Sequence, residues 1–448
     1  MVLAACGTRL SHEELLAADR QPGSAEAAQG PALGQEPAQP GDVPAGSPSA
    51  DLSSTTLPPG SGTGSGDGGA VAPPSNAPAA SACSRPGSPI ILGTVGQLSG
   101  VVGAVFLPGV KAAQAWVSSV NARGGIACHP VQYIVADDGG DPSRQQALVR
   151  QMVEQKGVIG FLHMTAALTG QASLAYLTDR RIPVIGDGGA ADWAYGSPMY
   201  FPQAATGLPA VEANYGAAGI LAKLDKVPAL GVISCLEATV CSGIFDVADQ
   251  YSAKYGMQLK YKARVSLVQP DFTSQCQAAK SAGVQMLLVG ADANTLTRMA
   301  RSCNGVNFRP RFFALGSGIS LALAKDPLLE GLGGGLIEAP WFATANAGVA
   351  EFQRTLAKYA PGLAPDPSAM SGWTSAKLFE TAIKSVSESP TSGDLLEGLW
   401  AIRSNDLGGI TAPLTFTREK PPDRSFCYWL VQIRDGKFTS PNEGQRTC

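Results

Sequence analysis

The stretch PIILGTVGQLSG, residues 89–100, decides the fold. Its apolar part, residues 90–95, is long enough for a strand that is buried on both faces, and a loop of glycine and polar residues follows. A helical pattern covers residues 106–121, and a second apolar run covers residues 131–136. A strand, a helix and another strand in this order predict a βαβ unit with a parallel sheet.

The same alternation continues along the chain and restarts after Gly207. It predicts two α/β lobes, each with a doubly wound parallel sheet. The tail, residues 414–416 and 427–434, is predicted to form a β-hairpin or a short antiparallel pair. Further strands are predicted at residues 158–162, 183–185, 230–234, 259–266, 286–289 and 312–315, and further helices at 142–155, 168–178, 242–254, 273–281, 295–302, 350–359 and 373–387.

Length and composition narrow the class of protein. The chain has 448 residues, too many for one ordinary domain, and 44% of them are hydrophobic. The formal net charge of −3 provides no basic field for nucleic acid. No uncharged apolar run reaches 18 residues, so no membrane-spanning helix is predicted.

The N-terminal residues carry a possible lipid anchor. Leu3, Ala4, Ala5 and Cys6 resemble a bacterial lipobox, after which Cys6 would become the acylated N-terminus. We interpret residues 1–6 as a lipobox remnant and expect the natural chain to begin further upstream. Residues 7–86 are rich in Ala, Gly, Pro and Ser and are predicted to form a disordered tether, with a span of roughly 50 Å.

Cysteine usage indicates an oxidising compartment outside the cytoplasm. Nine cysteines are present, so eight remain beside Cys6, and without a C-x-x-C pair they favour structural disulfides over zinc or redox sites. Eight cysteines allow about 105 pairings. Position favours Cys83 with Cys128, Cys235 with Cys241, Cys276 with Cys303, and Cys427 with Cys448.

Four segments together resemble a known family. LGTVGQLSG (92–100), VNARGGI (120–126), IVADDGGDP (134–142) and GWTSAKL (372–378) are similar, in this order, to segments of the type I periplasmic binding proteins. The similarity is to the branched-chain amino-acid-binding group that serves ABC importers. It covers residues from about Pro89 to Phe438.

The resemblance implies two Rossmann-like lobes that are joined by three crossovers and close on a ligand. We expect crossovers near residues 204–208, 339–342 and 407–411. The first lobe would comprise residues 87–205 and 341–408, and the second 206–340 and 409–448. The implied function is an extracytoplasmic, monomeric substrate-binding lipoprotein that delivers a branched-chain amino acid, or a related amide or carboxylate, to an ABC permease. No cofactor, no metal and no nucleic acid are expected.

Candidate ligand-binding residues follow the predicted strands, because open α/β sheets bind ligands beyond the carboxyl ends of their strands. In relatives, hydroxyl and amide groups take the ligand carboxylate, and an acid in the second lobe takes the amine. Ser317 stands where that acid is usual, so Asp292 is a candidate substitute and amide, urea-like or hydroxylated ligands remain open. The candidates are Ser99, His163, Met164, Thr165, Asp187, Gly188, Gly189, Glu237, Thr239, Asp292 and Ser317.

Each candidate has a structural alternative. Asp292 suits a helix N-cap, Ser99 and Thr165 suit caps or turns, His163 suits a satisfied loop histidine, and Glu237 suits a solvent-facing position. The acidic loop at residues 137–141 lacks the spacing of a calcium loop.

Catalysis is not expected. The glycines after the first strand lack dinucleotide spacing, and three histidines, one of them in the tether, leave a hydrolytic triad without parts. Two alternatives to an importer component remain: a ligand-binding sensor domain for a membrane receptor, and a secreted Rossmann-type enzyme.

Overall fold

The computed structural model describes residues 86–187, 192–237, 239–383 and 387–448. For Asp187, Thr239 and Ser317 only the backbone is described. The lipidation candidate Cys6, the predicted tether up to residue 85, Cys83, Gly188 and Gly189 lie outside the described residues.

The first sheet is parallel and has the order β2-β1-β3-β4-β5. The apolar run that opens the fold forms its β1 strand, in register with β2 from Ile90 opposite Val131 to Gly96 opposite Asp137. The strands are β1 (Ile90–Gly96), β2 (Val131–Asp137), β3 (Gly160–Met164), β4 (Val184–Asp187) and β5 (Tyr200–Phe201).

The second sheet has the order β12-β11-β10-β9-β8-β6-β7, and β13 pairs with β11. Its strands from β6 to β10 run parallel, whereas β11 pairs antiparallel with β10, β12 and β13. The strands are β6 (Ala229–Cys235), β7 (Gln258–Val265), β8 (Met286–Gly290), β9 (Arg311–Leu315), β10 (Gly333–Leu336), β11 (Tyr428–Arg434), β12 (Lys437–Thr439) and β13 (Arg446–Thr447).

Helices cover the sheets, and the described ones follow the predicted alternation. Helices α1 and α10 pack together beside the first sheet, and α4 packs on β10 and β11 of the second. In chain order the helices are α1 (Gly100–Asn121), α2 (Pro142–Lys156), α3 (Leu174–Asp179), α4 (Gly207–Asp225), α5 (Thr239–Asp246), α6 (Ala248–Lys254), α7 (Thr273–Ser281), α8 (Ala293–Gly305), α9 (Ala347–Tyr359), α10 (Pro367–Ala382) and α11 (Ser392–Trp400).

The predicted α/β fold with parallel sheets is confirmed, although several boundaries differ. Helix α1 begins at Gly100 and carries Pro108 within it, whereas the pattern predicted a start at residue 106. Helix α10 begins at Pro367 because Asp366 caps it, accepting from the Ala369 amide at 2.7 Å. The predicted helix at 242–254 is two helices, α5 and α6.

Strand β10 was not predicted, because its sequence is Gly-Gly-Gly-Leu and glycine is a poor strand former. The glycines let helix α4 approach the sheet closely. A Cβ at Gly333 would lie 2.5 Å from Leu221 Cδ1, and one at Gly335 would lie 2.9 Å from the Ala217 Cβ. The absence of side chains is therefore what allows this strand to pack beneath the helix.

The tail forms the predicted antiparallel pair. Strands β11 and β12 are joined through Asp435 and Gly436, both with positive φ. Residues 414–416 do not form a strand, and Leu414 makes only a single bridge to Asn405.

Three of the predicted disulfides are confirmed: Cys235–Cys241, Cys276–Cys303 and Cys427–Cys448. Cys128 is also disulfide-bonded, and its predicted partner Cys83 lies outside the described residues. Among the helices that the structure describes, none has the length and apolar character needed to cross a membrane.

The chain passes between the two sheets three times. The first passage, residues 202–206, follows β5, and the second, residues 337–346, follows β10. After helix α11 the chain returns to the second sheet at β11, and this return is the third passage.

Candidate functional site

The described candidate residues lie at or just beyond the carboxyl ends of strands in the two sheets. In the first sheet, β1, β3 and β4 are neighbours, which brings together the backbone positions of Ser99, Thr165 and Asp187. In the second sheet, β6, β8 and β9 are neighbours, and they are followed by Glu237 and Thr239, by Asp292, and by Ser317. Loops at this edge are where open parallel sheets bind ligands.

Ser99 begins helix α1 but makes no side-chain capping bond to it. Its hydroxyl instead interacts with Asp137, whose carboxylate also accepts from the amides of Leu98 and Gly139 at 2.9 Å each. Partial burial of Asp137 alone would raise its pKa. The hydrogen bonds from Ser99, Leu98 and Gly139 outweigh that effect and hold the pKa below its usual value.

Asp138, the next residue, is fully buried. Its carboxylate accepts from the Gly140 amide and the Thr169 hydroxyl, at 2.7 Å each. Burial raises its pKa, and these bonds only partly counter that effect. The Asp138 carboxylate therefore stabilises the loop that follows β2.

His163 points away from this edge into the packing of the first lobe. Its backbone is left-handed, with φ of 51°, and its imidazole is 1% exposed. The Ser375 hydroxyl donates to the Ser371 carbonyl at 2.8 Å, so it accepts from His163 Nδ1, 3.0 Å away. Burial lowers the pKa of His163 to about 4, which keeps the ring neutral near neutral pH.

The other imidazole nitrogen, Nε2, faces helix α1. A Cβ at Gly109 would lie 2.2 Å from it, so the ring fits only because this helix position is a glycine. His163 is thus a buried contact between α1 and α10 within strand β3, and Nε2 has no partner among the described residues, so the expected satisfied loop histidine is wrong. Met164 is also buried, and its sulfur is 3.9 Å from Gln145 Nε2.

Thr165 directly follows β3 and lies against β1. Its side chain is fully buried, yet its hydroxyl has no hydrogen-bond partner among the described residues. It lies against Gly96, where a Cβ would be 2.3 Å from the hydroxyl oxygen. The neighbouring Gln97 side-chain oxygen is likewise buried without a described partner. An unsatisfied buried hydroxyl is costly, so a partner from a bound solute would recover that cost.

Glu237 is exposed at the edge of the second sheet and already has donors. Its carboxylate accepts from the Ser266 hydroxyl at 2.6 Å and from the Leu267 and Leu236 amides at 2.8 and 3.1 Å. Burial alone would raise its pKa, but these hydrogen bonds outweigh it and lower the pKa. The solvent-facing alternative thus fits its exposure.

Asp292 is the N-cap of helix α8. It accepts from the Asn294 and Thr295 amides at 2.9 and 3.1 Å and from the Thr295 hydroxyl at 2.6 Å. Thr239 begins helix α5, and Ser317 lies in the short 3₁₀ turn Gly316–Gly318. The carboxylate considered as a substitute for the missing acid thus already holds a helix terminus.

Sequence reasoning missed two apolar side chains at the second-lobe edge. Leu236 and Val268 are 59% and 77% exposed. Leu236 directly continues the buried run of β6, so its pattern gave no sign that it emerges from the core. Within the described ranges, no group of three or more His, Cys, Asp or Glu side chains is placed to hold a metal ion.

A family model described as "Periplasmic binding protein" matches residues 89–437. No significant match was found among curated proteins.

Solved structures share the fold at low sequence identity. A possible leucine/isoleucine/valine-binding protein from Rhodopirellula baltica SH 1 has a TM-score of 0.68 and 16% identity, covering 79% of this chain and 96% of its own. A fatty acid ABC transporter substrate-binding protein from Thermomonospora curvata has a TM-score of 0.65 and 17% identity, covering 81% and 94%. An ABC transporter solute-binding protein from R. palustris in complex with benzoate has a TM-score of 0.65 and 13% identity, covering 80% and 98%.

Proposed function

The chain belongs to the periplasmic binding protein family over residues 89–437, and we propose that it is the extracytoplasmic substrate-binding lipoprotein of an ABC importer. The observation that carries this proposal is the family match to a chain with one parallel and one largely parallel sheet, whose parallel strands are followed by loops with polar residues. The chain would capture a small polar solute between its lobes, act as a monomer without catalysis, and present the closed form to a membrane permease.

The described carboxylates at the two edges leave the solute class open. Asp137, Asp138, Glu237 and Asp292 each accept two or three hydrogen bonds within the fold. A carboxylate has about four lone-pair sites, so each of them can also accept from an ammonium group. Amino acids and amide-like solutes are therefore both candidates. The names of the similar structures include both leucine/isoleucine/valine binding and fatty acid or benzoate binding.

The experiment is a thermal-shift screen of the purified chain. Branched-chain amino acids, amides, urea, benzoate and medium-chain fatty acids would be tested singly at millimolar concentration. A solute at 100 times its dissociation constant adds about 2.7 kcal/mol to the free energy of unfolding, an easily measured shift. If no small solute raises the melting temperature, the proposal of solute capture fails.

Anchoring and the downstream partner need separate measurements. Mass spectrometry of membrane-derived protein tests for an acylated Cys6, since a thiol without lipid contradicts the lipoprotein proposal. Solute uptake into vesicles that hold the candidate permease distinguishes transport from a receptor-linked sensor.

A further inference from the structure

The first two passages between the sheets meet helix α10 at one cluster of polar side chains. We call it the crossover cluster, and it consists of Gln203, Glu338, Ser371 and Thr374. Gln203 lies on the first passage and Glu338 on the second, whereas Ser371 and Thr374 belong to helix α10. Gln203, Glu338 and Thr374 are 2%, 4% and 0% exposed. A charged or amide group is rarely placed so deeply without a specific role.

Glu338 joins the members of the crossover cluster. Its Oε1 accepts from Gln203 Nε2 at 3.0 Å and lies 3.4 Å from the Thr374 hydroxyl. Gln203 Nε2 also donates to the Ser371 hydroxyl at 2.8 Å. The Thr374 hydroxyl also lies 3.1 and 3.0 Å from the Met370 and Ser371 carbonyls, so Glu338 is connected to helix α10 chiefly through Gln203.

Helix α10 belongs to the first lobe, which determines what the crossover cluster holds fixed. The helix packs on α1 and on strands β3 and β4. A Cβ at Gly372 would lie 1.9 Å from the Gly109 carbonyl oxygen, so α10 and α1 are in backbone contact. Residues bound to α10 therefore move with the first lobe.

This attachment limits where the chain can bend. On the first passage, the Thr206 amide donates to the Tyr195 hydroxyl of the first lobe at 3.2 Å, so the chain leaves this lobe at Gly207, whose φ is +57°. On the second passage, Ile337 alone separates the end of β10 from Glu338. Hinges are usually a few residues at the ends of elements, as these are.

We propose that Glu338 is a positioning residue for solute capture: it clamps the first two passages to helix α10 and so confines lobe rotation to the backbone beside it. The inference rests on the proposed function, because it specifies how the capture motion is guided. Without the clamp, the lobes of the free protein would sample a wider range of separations.

The test measures the distance between lobes without a solute. Nitroxide labels would be attached to a non-natural keto amino acid at two exposed helix positions, Gln151 in α2 and Gln277 in α7. Pulsed electron–electron double resonance spectroscopy on the full chain then gives the distribution of distances between the two labels, and so between the lobes. We expect Glu338→Ala to broaden this distribution and shift its mean.

Further variants show whether a broader distribution of inter-lobe distances results from loss of the Glu338 contacts or from a general loss of stability. Glu338→Gln keeps an acceptor oxygen and should restore most of the parent distribution. Gln203→Leu removes the donor from the other passage and should broaden it, which keeps the test decisive if Glu338→Ala does not fold. Glu351→Ala removes a carboxylate that pairs with Lys377 of α10 at 3.4 Å within the first lobe, and should change nothing.

The outcomes are distinguishable. Distributions in folded Glu338→Ala and Gln203→Leu that match the parent overturn the inference, as does an equal broadening in Glu351→Ala. Failure of every screened solute to shift the parent distribution counts against the proposed function, while the comparison among solute-free variants still decides the role of Glu338.

Discussion

The hydroxyl group of Thr94 donates a hydrogen bond of 3.0 Å to the main-chain carbonyl of His163, which joins β1 to β3. Two residues beyond His163, the equally buried hydroxyl of Thr165 has no partner among the described residues. The two threonines therefore form a matched pair, in which one buried hydroxyl has a partner within the fold and the other has no described partner.

Thr165→Val should leave the melting temperature of the solute-free protein unchanged or slightly raised. Valine has nearly the volume of threonine, and the substitution removes a buried hydroxyl that has no partner. The rise in melting temperature that a bound solute produces should become smaller. Thr94→Val should show the reverse: a loss of about 0.5–1.5 kcal/mol in stability and a retained solute shift. Both quantities come from one thermal-shift titration. A full solute shift in Thr165→Val would remove Thr165 from the proposed site.

Asp292→Ala should lower the free energy of unfolding by about 1 kcal/mol, because it removes the N-cap of helix α8. Asp292→Asn should retain most of the stability, since asparagine is an equally good cap. If Asp292 only caps the helix, the solute affinity of Asp292→Asn, measured by calorimetry, stays at the parent value. A large loss of affinity would instead restore Asp292 as the acid that receives an amine.

His163 makes stability depend on pH in a defined window. Because burial lowers its pKa to about 4, whereas the unfolded value is 6.5, the unfolded chain binds more protons between those values. The stability contribution is fully present above pH 6.5 and is lost as the pH falls toward 4. The slope approaches about 1.4 kcal/mol per pH unit within that window.

His163→Asn tests this window, because asparagine tolerates the left-handed backbone at this position but does not titrate. Chemical denaturation from pH 4 to 7.5 should show a flatter pH dependence in the variant. Parallel curves for the parent and the variant would mean that the buried ring does not stay neutral.

Gly372→Ala should destabilise the chain by about 1–3 kcal/mol, because its new Cβ would overlap the Gly109 carbonyl oxygen. Gly305, the last residue of α8, provides the control. A Cβ there meets nothing within 4 Å, so Gly305→Ala should be neutral or slightly stabilising. Equal melting temperatures for the two variants would contradict the close backbone contact between α1 and α10.

Most elements could be predicted from the sequence, because apolar runs bounded by polar loops usually form strands or helices in an α/β protein. Prediction failed where tertiary packing, rather than the local hydrophobic pattern, determines the structure. Strand β10 consists largely of glycine, and its strand form depends on helix α4 lying close above it. Helix α1 continues through Pro108, which local preference alone would place near a helix start.

At the candidate site, the sequence placed the candidate residues near the ends of strands that the structure contains, but it did not predict the direction of each side chain. His163 and Thr165 are two residues apart, yet one fills the space between helices and the other lies at Gly96. His163 has a positive φ, which breaks the alternation that a regular strand would impose. The crossover cluster was invisible in the sequence, since its members come from three distant segments.

The order of these segments also bears on how the molecule is made. Helix α10 packs on β3 and β4, but the ribosome produces strands β6–β10 of the second sheet before it reaches α10. Until then the first sheet lacks this covering helix, although α1 already packs on β2 and β3. Truncated fragments that end near residue 206 should accordingly aggregate rather than fold as independent units.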